Sequence, residues 1–135
     1  MTAQPLLSVE DLTVSSGGQA PVVENVSFAV DGGAMTAVVG ESGSGKTTSA
    51  MAVIGLLGPA GRVHSGSIRF KGKEISRATP AEWRGLRGAE IGLVPQDPNS
   101  SLNPLKTIGA AIEAGLAIHK YGDAASVSYT HLRAH

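Results

Sequence analysis

The chain has 135 residues, the length of one domain at most. Its 11 basic and 11 acidic residues give zero net charge, so the overall charge favours neither nucleic acid nor an acidic membrane surface. The absence of cysteine excludes disulfides and thiolate metal sites. The first residues lack the basic and apolar regions of a signal peptide, and glycine interrupts every apolar stretch well short of a membrane span, so we expect a cytosolic chain.

Strands, a glycine loop and a helix are predicted in the first part of the chain. Residues 7–14 and 22–30 alternate apolar and polar side chains on either side of a Ser/Gly/Pro turn, which predicts two antiparallel strands. Residues 34–39 (AMTAVV) form a nearly unbroken apolar run, which is typical of a strand buried on both faces of a parallel sheet. Beyond the glycine loop the apolar period becomes that of a helix ending at Gly58 and Pro59. The predicted apolar face of this helix consists of Ala50, Val53, Ile54 and Leu57.

The second part of the chain predicts a hairpin, two helices and another buried strand. Residues 66–75 alternate around a Lys-Gly-Lys turn, and residues 79–82 (TPAE) form a capping box that opens a short helix. Residues 91–94 are predicted to be a second buried strand, and residues 96–104 a loop rich in proline and turn formers. Thr107 can cap a last helix. Its predicted apolar face consists of Ile108, Ala111, Ile112 and Leu116.

The segment before the first helix matches a phosphate-binding loop. Residues 40–47 (GESGSGKT) fit the pattern G-x-x-x-x-G-K-[ST], in which glycines let backbone N–H groups approach phosphate oxygens at the positive end of a helix. Lys46 is predicted to neutralise the β and γ phosphates, and the Thr47 hydroxyl to complete the shell of a Mg²⁺ ion. The other interpretation is a glycine-rich turn that matches by chance, which the preceding strand and following helix disfavour. The predicted nucleotide-binding residues are Gly40, Glu41, Ser42, Gly43, Ser44, Gly45, Lys46, Thr47 and Thr48.

Four segments together resemble a known family: LSVEDLTV, NVSFAVDGGAMTAVVGESGSGKTTSA, SGSIRFKGKEI and IGLVPQDPNSSLNP. The sequence is similar to the nucleotide-binding subunit of ATP-binding cassette (ABC) transporters over nearly all of the chain up to about Lys120. The resemblance implies an α/β fold, namely a phosphate-loop (P-loop) NTPase core of the ABC ATPase type with an antiparallel β subdomain. It also implies that the chain stops before the end of the helical subdomain.

The combination of GESGSGKT and QDPNSSLNP is similar to the ATPase subunits of oligopeptide, dipeptide and nickel importers. The resemblance implies that Gln96 is the Q-loop glutamine, which acts with Lys46 in catalysis and with Thr47 at the Mg²⁺ ion. Its loop would touch the membrane subunit and link nucleotide state to shape. The other interpretation of Gln96 is a polar loop residue at a strand end.

The resemblance further implies what the parent protein does and with what it assembles. It would be an ATPase that binds ATP and Mg²⁺ and powers import of peptides or related solutes. The implied partners are a second ATPase subunit, transmembrane permease subunits and an extracytoplasmic solute-binding protein, without nucleic acid. The implied location is peripheral, on the cytoplasmic face of the cell membrane.

Two departures from the family pattern affect these expectations. The position at which the family usually places an adenine-stacking aromatic is Ser16, so adenine selectivity is not expected. The LSGGQ-like motif, the acidic strand end (Walker B), the catalytic glutamate and the switch histidine have no counterpart in the sequence, so we expect this chain by itself to bind nucleotide without turnover. The histidines show neither ligand nor triad spacing and are interpreted as surface residues. They are His64, His119, His131 and His135.

Other classes remain open at this point. Between residues 62 and 87 lie 7 of the 11 basic residues, a possible phosphate-backbone footprint as in DNA-repair members of the superfamily. A solvated face is the favoured interpretation, since few aromatic residues lie among these charges. A P-loop GTPase or kinase is disfavoured by the lack of an N-K-x-D motif, and a nucleotide-binding remnant without enzymatic activity is the third alternative.

The last nine residues, 127–135 (VSYTHLRAH), are predicted to be a non-native tail, which leaves residues 1–126 as the N-terminal part of the nucleotide-binding domain. Back-translated as GTC TCT TAT ACA CAT CTC CGA GCC CAC, they read in one frame through a transposase-type adaptor used for sequencing libraries. The other interpretation is an ordinary polar C-terminus. Resequencing the locus distinguishes the two: the adaptor origin predicts a chromosomal frame that continues into an LSGGQ-like motif.

Overall fold

The structure is a computed structural model that describes residues 4–17, 20–97 and 102–119. The chain divides into two compact units, Met1–Arg84 and Gly85–His135. The predicted tail at residues 127–135 and the histidines His131 and His135 lie outside the described residues. None of the helices in the described ranges combines the length and the apolar character needed to cross a bilayer.

The first unit is built on a four-stranded antiparallel sheet with strand order β2-β1-β3-β4. The predicted antiparallel pair is confirmed, and so is the hairpin with its turn at Lys71 and Gly72. The strands are β1 (Leu7–Ser16), β2 (Pro21–Val30), β3 (Gly61–Phe70) and β4 (Lys73–Glu74). The apolar residues buried in and beside this sheet are Val9, Leu12, Val14, Val23, Ile68, Phe70 and Ile75.

A bulge in β1 keeps its apolar residues on the core side. Val9, Leu12 and Val14 are all buried, although the step of three from Val9 to Leu12 would reverse the face of a regular strand. The register shifts between these two residues, where Asp11 has a φ of +47°. The Asp11 N–H donates to the Ser27 hydroxyl of β2 at 2.8 Å, so the irregular backbone remains hydrogen-bonded.

Helix α1 (Lys46–Val53) follows the glycine loop and packs on β1 and β2. The predicted apolar face is confirmed at Val53 and Ile54, which are buried. Ala50 is exposed instead, and Ser49 and Ala52 are buried. The predicted end at Gly58 and Pro59 is also wrong, because the helix ends at Val53 and Gly55 turns the chain with a φ of +64°. The spacing of apolar residues in the sequence predicts neither the burial of Ser49 and Ala52 nor the earlier end of the helix.

Two predicted buried strands are absent from the described residues. Residues 34–39 are exposed, with Met35 99% and Val39 90% accessible, and no strand of the described residues pairs with them. In the second unit, Ile91 forms only an isolated bridge to Arg87, and Val94 is 90% accessible. A strand that is apolar on both faces needs hydrogen-bonded neighbours and cover on both sides, and the described residues supply neither.

The two remaining helices begin with the caps that the sequence predicts. In α2 (Pro80–Leu86), the Thr79 N–H donates to Glu82 Oε2 at 2.9 Å and the Glu82 N–H donates to Thr79 Oγ1 at 3.3 Å, which closes a capping box. In α3 (Ile108–His119), the Ala110 N–H donates to Thr107 Oγ1 at 3.2 Å. Of the predicted apolar face of α3, Ile108 and Ile112 are exposed and Ala111 and Leu116 are half-buried, so no residue of this helix is fully buried within the described residues.

Candidate functional site

The glycine loop leads directly into α1, and no side chain caps the first backbone N–H groups of this helix. Gly45 is the N-cap, with φ +86° and ψ +6°, and it supplies no side-chain acceptor. Helix geometry leaves the first N–H groups without an intrahelical carbonyl. The first turn contains no acidic residue. The start of α1 is therefore an array of N–H donors at the positive end of a helix, which favours an anion.

Gly45 is required by its surroundings, whereas the side chain nearest to Gly40 is a serine hydroxyl that can rotate away. A Cβ on Gly45 would lie 2.7 Å from Val23 Cγ2 and 2.9 Å from the Val22 carbonyl oxygen, so this residue packs directly on β2. A Cβ on Gly40 would lie 2.7 Å from Ser44 Oγ. Gly43, with φ +83°, has open space around it and needs only its positive φ.

Lys46 folds back across the loop. Its Nζ donates to the carbonyl oxygens of Gly40 at 2.8 Å and Glu41 at 2.5 Å, and it lies 3.3 Å from Ser44 Oγ. The Ser44 N–H donates to the Glu41 carbonyl at 3.2 Å, which closes the same turn. The ammonium group is thus held at the loop by backbone oxygens, next to the N–H array of α1.

The loop and β2 enclose a concavity of about 180 Å³. Ligand pockets for whole small molecules usually measure roughly 300–1,000 Å³, so this volume suits phosphate groups rather than a complete nucleotide. The residues that line it include a lysine and three hydroxyl side chains, which can donate hydrogen bonds to the oxygens of a polyphosphate. Its lining residues are Val22, Gly43, Ser44, Gly45, Lys46, Thr47 and Thr48.

Gln96 and Ser16 are both exposed. Gln96 lies in a bend after Pro95 in the second unit, and its predicted catalytic and metal roles stay predictions. Ser16 is the last residue of β1 and pairs with Gly61 of β3, so the position that the family pattern gives to an aromatic carries a small hydroxyl at a strand end.

The histidines of the described residues have structural partners. His64 Nε2 lies 2.9 Å from Ser15 Oγ, and this contact satisfies a hydroxyl whose residue is only 2% accessible. The His119 ring lies against Gly88, where it would collide with a Cβ. Within the described ranges, no group of three or more His, Cys, Asp or Glu residues is placed to hold a metal ion.

The basic stretch is partly neutralised by local acids. Arg69 Nε lies 3.6 Å from Glu74 Oε2, and Lys73 Nζ lies 2.9 Å from Glu82 Oε1. All four side chains are substantially exposed. These local ion pairs support the interpretation of the stretch as a solvated face.

The sequence motif of the phosphate loop does not identify two residues that contact the loop. Val22 lines the concavity from β2, and Ser49, one turn into α1, donates its hydroxyl to the Gly45 carbonyl at 3.0 Å. Both lie outside the eight-residue phosphate-loop pattern. Only the fold shows that Val22 adjoins the loop, whereas Ser49 follows Gly45 by one helical turn.

A family model described as ABC transporter matches residues 23–133, most of the chain. The chain belongs to the ABC transporter family. It is 40% identical over 121 residues to the dipeptide transport ATP-binding protein DppD of Escherichia coli (strain K12). It is also 40% identical over 119 residues to the oligopeptide transport ATP-binding protein OppD of Bacillus subtilis (strain 168).

Solved structures of ABC proteins share the fold. An ATP-binding subunit of an ABC transporter superposes with a TM-score of 0.67 at 28% identity, covering 88% of this chain and 45% of that one. A bacterial Atm1-family ABC exporter with ATP bound gives 0.64 at 26% identity, covering 84% of this chain and 18% of that one. The P-loop NTPase fold of the ABC type is therefore confirmed.

The matches cover most of this ABC family chain but a minor part of its curated relatives. The alignment spans 87% of the chain and 37% of DppD from E. coli, and 85% of the chain and 33% of OppD from B. subtilis. The chain thus spans about a third of the length of these relatives.

Proposed function

We propose that residues 40–48 bind the phosphates of ATP and that the chain is part of the ATP-binding subunit of a peptide importer. The observation that carries the proposal is the juxtaposition of the Lys46 ammonium with the uncapped start of α1. This arrangement supplies positive charge and N–H donors in one concavity. The names of the relatives, a dipeptide and an oligopeptide transport ATP-binding protein, support ATP as the nucleotide and peptides as the transported class.

The residues of the loop have separate parts in this proposal. Lys46 neutralises the β and γ phosphates, while the N–H groups that begin α1 bind phosphate oxygens. Gly43 and Gly45 allow the backbone to approach closely because their φ angles are positive. The Thr47 hydroxyl and the Gln96 side chain would hold Mg²⁺, which supplies further neutralisation of phosphate charge when bound.

For the whole protein we infer ATP hydrolysis coupled to import. Its partners would be a second ATPase subunit, transmembrane permease subunits and an extracytoplasmic solute-binding protein, and it would sit on the cytoplasmic face of the membrane. Genes for a permease and a solute-binding protein beside this gene are the expected neighbours. A neighbourhood without them would instead favour an ABC ATPase that does not transport.

Calorimetric titration with Mg-ATP tests the binding site. The wild-type chain should bind, and Lys46→Ala should show no measurable binding because the charge facing the phosphates is lost. Lys106→Ala, which removes an exposed lysine outside the loop, is the matched control and should bind as wild type does. Equal binding by wild type and Lys46→Ala would overturn the assignment of the loop.

A further inference from the structure

We propose that Ser49 is a positioning residue that aims the Lys46 backbone N–H at the phosphates. The inference rests on the proposed phosphate site and adds a residue outside its motif. Ser49 lies on the buried face of α1 and is 7% accessible. It hydrogen-bonds to the peptide unit between the N-cap and the first residue of the helix.

Ser49 makes two hydrogen bonds to one carbonyl. Its backbone N–H donates to the Gly45 oxygen at 2.8 Å, which is the ordinary first bond of the helix. Its hydroxyl donates to the same oxygen at 3.0 Å. A carbonyl oxygen has two lone pairs, so both of its acceptor positions are used by Ser49.

Fixing this carbonyl fixes the direction of the next N–H. The described chain contains no cis peptide bond, and in a planar trans peptide the C=O and N–H point in opposite directions. The Gly45 carbonyl points along α1 toward Ser49. The Lys46 N–H therefore points away from the helix, toward the concavity that Lys46 itself lines.

The peptide needs this restraint because Gly45 is the flexible point of the loop. Glycine adopts its φ of +86° without a steric barrier to other values. Val22 and Val23 of β2 restrain its Cα side, and Ser49 restrains its carbonyl side. A serine bonded to the carbonyl four residues earlier also occurs inside helices, where it slightly destabilises and often bends the helix. Here the bonded carbonyl shares a peptide with a proposed phosphate donor.

The experiment compares Ser49→Thr with Ser49→Val in the full chain. These side chains have nearly the same shape, and only threonine keeps the hydroxyl. We expect Ser49→Thr to bind Mg-ATP and inorganic tripolyphosphate within about twofold of wild type. Ser49→Val should bind both about fivefold more weakly, the equivalent of one hydrogen bond. Ser49→Ala, which removes the hydroxyl without adding atoms, should match Ser49→Val and serves if the added methyl disturbs folding.

A spectroscopic readout separates positioning from general stability. In the ligand-free chain, the ¹³C resonance of the Gly45 carbonyl and the ¹⁵N resonance of the Lys46 amide should move in Ser49→Val and Ser49→Ala and stay in place in Ser49→Thr. Unchanged resonances with equal binding by all variants would overturn the inference and leave the proposed function intact. Wild-type binding no tighter than that of Lys46→Ala would overturn the proposed function and the inference with it.

Discussion

Gly43 and Gly45 have nearly equal positive φ angles, but only Gly45 packs closely on β2. Comparing their alanine variants therefore separates the cost of backbone strain from the cost of a steric collision. Gly43→Ala should lower the free energy of unfolding by about 1–2 kcal/mol, the cost of a left-handed backbone. Gly45→Ala adds a collision with Val23 and the Val22 carbonyl, for a further 1–3 kcal/mol or so. Urea unfolding followed by fluorescence of the single tryptophan, Trp83, measures both. Equal losses in the two variants would contradict the close packing of Gly45 on β2.

Ser16 determines a second prediction at the scale of one residue. Stacking of a base on an aromatic ring contributes about 1–3 kcal/mol, and a serine cannot supply it. ATP and GTP should therefore compete almost equally for the wild-type chain, and Ser16→Tyr should tighten ATP binding while Ser16→Ala leaves it unchanged. Competition titrations measure this. A strong ATP preference in wild type would show that the base is recognised elsewhere.

At the scale of elements, Glu82 links the β3–β4 hairpin to α2. Hydrogen bonding to Lys73, and then to the Thr79 N–H and hydroxyl, lowers the pKa of Glu82 from 4.5 to about 2. A lowered pKa in the folded state means that the interaction stabilises fully above pH 4.5 and is lost as the pH falls toward 2. The difference in unfolding free energy between wild type and Glu82→Gln should thus be constant near neutral pH. It should become smaller as the pH falls from 4.5 toward 2.

Glu74 responds to acid in the same direction, so the comparison with Glu82→Gln is needed to isolate Glu82. Burial opposes ionisation of Glu74, but hydrogen bonds from the Ser76 hydroxyl and the N–H groups of Ile68 and Ser76, with the charge of Arg69, hold its pKa below the ordinary value. Because Glu74 is present in both chains, its titration cancels in the difference. A difference that does not change between pH 5 and 2 would contradict the role of the Lys73–Glu82 pair.

At the scale of the whole molecule, the chain should bind nucleotide without turning it over. Transition-state stabilisation of a phosphoryl group needs charge on several sides and a group that orients water. Lys46 and the N–H donors that begin α1 supply positive charge from one side of the phosphates. Phosphate release from Mg-ATP should equal that of Lys46→Ala. A reproducible excess over this control would refute the prediction.

The sequence correctly predicted the caps and turns, which depend only on residues close together along the chain. The capping box at Thr79 and Glu82, the cap at Thr107 and the turn at Lys71 and Gly72 are all present, because each is made within a few residues of chain. The strand predicted at residues 34–39 is absent. Its apolar character indicates two-sided burial, which requires partners that the local sequence does not contain.

The sequence by itself determined the P-loop and the family, because both depend on residue types at fixed spacing: glycines where the backbone turns, and a lysine where charge is needed. The tertiary structure decided which side chains support that loop. It places Val22 and Val23 of β2 against Gly45, and it buries Ser49 and Ala52 of α1 beside the predicted core residues. These contacts join separate segments or depend on the rotation of α1 against the sheet, and packing between elements decides them. The Ser49 bond to the Gly45 carbonyl spans only one helical turn, and burial of Ser49 holds it there.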